Sequence, residues 1–109
     1  VHATIHCDAF NHIKNTQIQS DMIVRGASDS FHIYRLEWRP DSIKVFYDEK
    51  KMYEFNKPQN AGQDKWPFDH EFSIIMNTAI GGNWGGALGI DDSIFPQVFS
   101  IDYVRYYKL

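Results

Sequence analysis

Apolar and polar residues alternate along most of the chain, and helical periodicity is scarce, which predicts strands. His2 to Asp8 reads as a first strand, followed by a polar loop from Asn11 to Thr16 that contains His12. Residues 17–25 read as a weakly patterned second strand. Phe31 to Arg39 alternates strongly and stops at Pro40, which cannot donate to a ladder, with Asp41 and Ser42 as turn formers. Ile43, Val45 and Tyr47 then alternate with Lys44, Phe46 and Asp48. The polar run Asp48-Glu49-Lys50-Lys51 turns the chain into a partner strand, Met52 to Phe55, closing a hairpin. Asn56 to Asp69, with Pro58, Gly62 and Pro67, reads as a loop. Phe72 to Ala79 is nearly all apolar and predicts a strand buried on both faces. A glycine-rich surface loop follows, and Gln97 to Tyr107 predicts a long closing strand.

About seven short strands without helices predict an antiparallel β-sandwich. The 109 residues suit a single domain spanning 1–109. Several of these strands would lack neighbours if they were the whole protein. The first residues also resemble no leader, so the chain is expected to begin inside something larger or to be a processed or engineered piece. Net charge is −3 without a block of like charges, which argues against nucleic acid as the partner. The one uncharged stretch, Phe72 to Ile90, holds five of the seven glycines, so it does not read as a membrane span. A single cysteine, Cys7, excludes an internal disulfide framework. Aromatic residues reach 16%, a load suited to strands or to a surface on which flat ligands stack.

Five side chains are candidates for function. His2 and His6 stand at i, i+4, but in a strand that spacing separates them by roughly 13 Å, too far to share an ion. His6 is either a polar residue lining a cleft or an ordinary surface histidine. Gly81-Gly82-Asn83-Trp84-Gly85-Gly86 fits neither a dinucleotide fingerprint nor a P-loop. Its glycines let the backbone turn tightly around Trp84, an indole that can carry the apolar face of a sugar or cap the sandwich end. Asn77, an amide within an apolar strand, needs a structural partner or a polar cleft, because leaving it buried and unpaired costs about 1–3 kcal/mol. Asp102, between Ile101 and Tyr103, is by default a solvated outward residue; a hard cation completed by backbone carbonyls is the other reading. Asp91-Asp92, Asp48-Glu49 and Asp69/Glu71 do not form the paired carboxylates that glycoside cleavage requires, and no G-x-S-x-G elbow is present. The residues read as binding apparatus without a catalytic centre.

Phe31-His32-Ile33-Tyr34-Arg35-Leu36-Glu37-Trp38, followed by Asp41 to Asp48, resembles glycoside hydrolase family 16, especially its laminarinase-like endo-β-1,3-glucanases. The resemblance runs in order through Trp66-Pro67-Phe68-Asp69, Ile75-Met76-Asn77, Ala79 to Gly86, Phe95-Pro96 and Ile101 to Tyr107, and covers essentially the whole chain. It implies a concanavalin A-like jelly roll with a β-glucan cleft across its concave sheet. This chain would be the C-terminal half of that domain. It further implies a retaining mechanism using two glutamates of a Glu-x-Asp-x-(x)-Glu strand that is absent here, so no catalytic residue is assigned to this chain. Val1 to His6 looks like the strand just after that one. By the same resemblance His6, Asn77, Trp84 and, more weakly, Trp66 would contact substrate. Asp102 would supply a ligand to a structural calcium, with no catalytic cofactor. Asp48-Glu49-Lys50 departs from the family's frequent Asp-Gly and leaves the turn type open.

The expected function is therefore a part of a secreted or periplasmic endo-β-glucanase acting on β-1,3 or mixed-linkage glucan. The expected partners are a β-glucan poly- or oligosaccharide and the N-terminal half of the domain, on the same or a complementary chain. The competing reading is a non-catalytic β-glucan-recognition module on the same fold.

Overall fold

The computed structural model describes residues 1–108. The chain divides into two compact units, Val1–Glu71 and Phe72–Leu109. The first unit holds five antiparallel strands in two sheets. β1 (His2–Ile5) pairs with β2 (Ile18–Asp21), and β3 (Tyr34–Arg39), β4 (Ser42–Tyr47) and β5 (Lys50–Asn56) form a meander with β4 in the centre.

The alternation that predicts these strands also sorts their faces. In β1, Ala3 and Ile5 are buried while His2, Thr4 and, just after the strand, His6 are exposed. In the meander, Ile43 of β4 lies between Trp38 of β3 and Phe55 of β5, and Val45 between Leu36 and Tyr53. Ile5, Ile43, Phe55 and Trp66 make the core, with Phe10, Ile18, Val45, Tyr53, Ala61 and Phe68 packed around them. Trp66 is its largest member: its ring centroid lies 5.4 Å from that of Phe55 and 5.3 Å from that of Phe68. The opposite face of the meander is charged. Arg35 bonds Glu37 and lies 3.6 Å over the Phe46 ring, and Glu54 takes Lys51 at 2.5 Å and Lys44 at 3.8 Å.

The hairpin between β4 and β5 turns on Asp48 and Glu49, with Tyr47 opposite Lys50. Asp48 adopts φ 52°, a left-handed conformation that aspartate tolerates better than most residues, so no glycine is needed here. Its backbone and side chain together replace a rung of ladder. The Asp48 N–H donates to Ile33 O at 2.7 Å, and its carboxylate accepts the Ile33 N–H at 3.0 Å. These bonds tie Ile33 to the hairpin turn without making Phe31–Ile33 part of β3, which begins three residues later than the alternation suggests. The Ile33 N–H, and after it His32 at 3.0 Å, keep the Asp48 carboxyl below the usual carboxylate range.

β3 forms one rim of its sheet, with no ladder partner on its outer side among the described residues. Tyr34 and Leu36 there remain 67% and 59% exposed although they continue the apolar face of the core.

The second unit departs from two sequence expectations. Phe72–Ala79 is neither a strand nor buried, and Gln97–Tyr107 is not a strand; the large apolar residues of both runs are exposed. A strand exists by its ladder, and neither run is paired as a strand in a sheet among the described residues. The expected glycine-rich surface loop is present. Within it, α1 (Gly82–Gly85) is one helical turn, and Asp92–Ile94 forms a 3-10 turn capped by Asp91, whose side chain accepts the Ser93 N–H at 2.9 Å.

Candidate functional site

The pleat of β1 builds the polar face on which His6 stands. With Ala3 and Ile5 turned into the core, His2, Thr4 and His6 must point the other way. The antiparallel register sets Asp21 opposite His2 and Gln19 opposite Thr4, both exposed. Continuing that register one step opposes His6 to Gln17, whose side-chain Oε1 is buried without a hydrogen-bond partner. The result is a strip of imidazole, hydroxyl, amide and carboxylate groups, the mixture that hydrogen-bonds to hydroxyl-rich ligands.

A tightly bonded loop brings His12 to the end of this strip. Cys7 N–H donates to Phe10 O at 2.8 Å, the Asn11 amide donates to Asp8 O at 2.8 Å, and Thr16 N–H donates to Asn11 O at 3.0 Å. The His12 ring thereby lies 5.5 Å from the His6 ring, centroid to centroid. The sequence marks His12 only as a residue of the polar Asn11–Thr16 loop. The contact is set by loop closure, and no regular spacing announces it.

The other expected site residues fall in different surroundings. Trp66 is 1% exposed and belongs to the core, so neither indole face is presented to a ligand; packing is the role the structure shows for it. Asn77, Trp84 and Asp102 lie in the second unit and are all exposed. Trp84 is 79% exposed on α1. Gly81 and Gly82 precede it at φ 73° and 77°, and a Cβ at Gly86 would stand 2.7 Å from Gly82 O, so the turn that carries the indole requires glycine at these points.

Two kinds of chemistry can be tested against the residues present. The carboxylates with shifted acidity, Asp48, Glu54, Asp69 and Asp91, are all held below their ordinary range by donors: chiefly Ile33, Lys51, Gln63 and Ser93 respectively. A general acid for glycoside cleavage requires a shift in the opposite sense. For calcium, Asp102 offers one exposed carboxylate, and no three His, Cys, Asp or Glu side chains gather as metal ligands among the described residues. A calcium ion takes six to eight oxygens, and backbone carbonyls can supply those that side chains do not. No helix among them is long and apolar enough to cross a membrane.

The sequence profile of glycosyl hydrolases family 16 matches residues 1–105. The chain belongs to that family. It is 41% identical to a β-glucanase of Rhodothermus marinus over 99% of its own length and 39% of the relative's. The laminarinase from Rhodothermus marinus superposes with a TM-score of 0.83 at 40% identity, covering 87% of this chain and 39% of that structure. SCLam, a non-specific endo-β-1,3(4)-glucanase of family 16, superposes with a TM-score of 0.70 at 31% identity, covering 86% of this chain and 35% of its own. The all-β antiparallel fold expected from the alternation is thus the fold of family 16 laminarinases. The chain spans about two fifths of the length of these relatives.

Proposed function

We propose that this family 16 chain is part of a retaining endo-β-glucanase that hydrolyses β-1,3 or mixed-linkage glucan, and that it contributes glucan-contacting side chains while the catalytic glutamates lie outside it. The observation that carries the reading is the 41% identity to a β-glucanase along 99% of the chain. The polar strip with His6 at its end supports it, as does an indole presented to solvent at Trp84. In this reading His6 and Asn77 hydrogen-bond sugar hydroxyls, and Trp84 stacks on a ring face. Cleavage with retention needs two carboxyl groups about 5–5.5 Å apart, one of them with raised pKa, and these come from the remainder of the domain. That remainder, on the same or a complementary chain, is also the proposed cover for the apolar runs of the second unit. Secretion or periplasmic export is proposed with it, because a polymeric glucan is met outside the cytoplasm.

The test is reducing-end release from laminarin by the complete domain. The expected outcome is release that disappears when either glutamate of the upstream Glu-x-Asp-x-(x)-Glu strand is replaced by glutamine. Retained laminarin binding with no release by the folded, unaltered domain would assign it to the non-catalytic recognition class instead.

A structural calcium is proposed for the same complete domain, with Asp102 giving one carboxylate oxygen to a shell completed by other segments. Asp102→Ala is expected to lower the melting temperature in calcium and to leave it unchanged in chelator. An equal drop in both would show that Asp102 acts without the ion.

A further inference from the structure

Six positions separate His6 from His12 in sequence, and the fold sets their rings 5.5 Å apart at an interplanar angle of 59°. Both residues are exposed, so an ion from solvent can reach them. The approach is fixed from both sides. His6 directly follows β1, whose Ile5 is anchored in the core. His12 belongs to a loop pinned by the edge-on contact of Phe10 with Phe55 at 5.9 Å and by the Ala9 N–H bonded to Asp64 O at 2.8 Å. Inside the loop, Lys14 N–H donates to Asn11 Oδ1 at 3.0 Å and Thr16 Oγ1 donates to Ala9 O at 2.8 Å. Little further ordering is therefore needed for the two rings to act together.

We infer that His6 and His12 form a two-histidine chelate for a divalent transition ion such as copper(II), with water in the remaining coordination positions. The spacing fits. A metal–nitrogen bond of about 2.1 Å plus a ring radius of about 1.1 Å puts two imidazole centroids in adjacent equatorial positions of one tetragonal copper(II) ion about 4.5 Å apart. The observed 5.5 Å is reached from there by a small rotation of either side chain. Imidazole selects copper, zinc and nickel over magnesium and calcium, so the site is distinct in chemistry from the calcium proposed at Asp102. Asp8, the nearest acid in sequence, is engaged by Lys14 at 2.9 Å, so the ion rests on the two histidines. His2 lies at the far end of the same strand face and takes no part. The inference does not depend on glucan cleavage. If His6 does contact sugar, however, a bound ion competes for that imidazole.

The experiment is titration of the full chain with copper(II) alone, followed by calorimetry and electron paramagnetic resonance. One ion per chain is expected, with hyperfine structure from two equatorial imidazole nitrogens. His6→Ala, His12→Ala and His12→Gln should each weaken uptake at least about tenfold, because each converts a chelate into a single ligand. His2→Ala should leave uptake unchanged. Unaltered far-ultraviolet circular dichroism of the His12 variants keeps a folding defect from imitating the result. Wild-type affinity in either His12 variant, a spectrum with a single nitrogen, or loss of uptake in His2→Ala would each overturn the assignment.

Discussion

Trp66→Ala is expected to destabilise the first unit by about 3–5 kcal/mol, the range for removing a fully buried large aromatic side chain. The ring is 1% exposed and wedged between Phe55 and Phe68, and backbone bonds from Lys65 and Trp66 to Gly62 O fix the turn that delivers it. Small domains are stable by only about 5–15 kcal/mol, so this one truncation removes a large share of the total. Trp66→Phe should cost much less. The indole N–H is buried with no hydrogen-bond partner, and phenylalanine removes that unsatisfied donor while keeping most of the apolar surface. Denaturant unfolding of the two variants checks the ordering. Unchanged stability with weakened laminarin binding would restore the sugar-contact role that family resemblance suggests for this residue.

Trp84→Ala is expected to do the reverse. With its indole 79% exposed on a single helical turn, truncation should leave the unfolding midpoint of the complete domain almost unmoved. Glucan affinity should fall by about 1–3 kcal/mol, the scale of losing one stacking anchor. That is about 5- to 150-fold in Kd, readable by calorimetry with laminarin oligosaccharides. Trp84→Phe should recover part of the loss, since a smaller π-face remains. Equal affinity in wild type and Trp84→Ala would remove the indole from the glucan-contacting set.

The contrast between the two tryptophans shows what the sequence could convey. β3, β4 and β5 were legible because everything that makes them is local: strict alternation, Pro40 at one turn and Asp48-Glu49 at the next. β1 was legible for the same reason, although the run expected to reach Asp8 leaves the ladder after Ile5 to enter the Asn11 loop. Phe72–Ala79 and Gln97–Tyr107 have the composition of strands, but a strand also needs a neighbour, and that neighbour is not encoded in the run itself. Trp66 and Trp84 both follow loop-like, polar or glycine-bearing sequence, and only tertiary packing puts one inside and the other outside. The positive φ at Gly81 and Gly82, by comparison, was readable in kind from the density of glycines. His12 was invisible as a partner of His6 because the loop between them obeys no period. Its closure by Asn11 and Thr16 side chains is the reason the two rings meet.

The bare rim of β3 has a practical consequence. It offers unpaired backbone amides and carbonyls beside Tyr34 and Leu36, while the charges of Arg35 and Glu37 neutralise each other. Proteins usually protect such a border with lysine, proline or a bulge, and the register shift among the described residues lies on the far side of the sheet, between β4 and β5 at Val45/Phe46. Unless another strand docks there, two molecules can zip together along this border, and self-association should grow steeply with concentration.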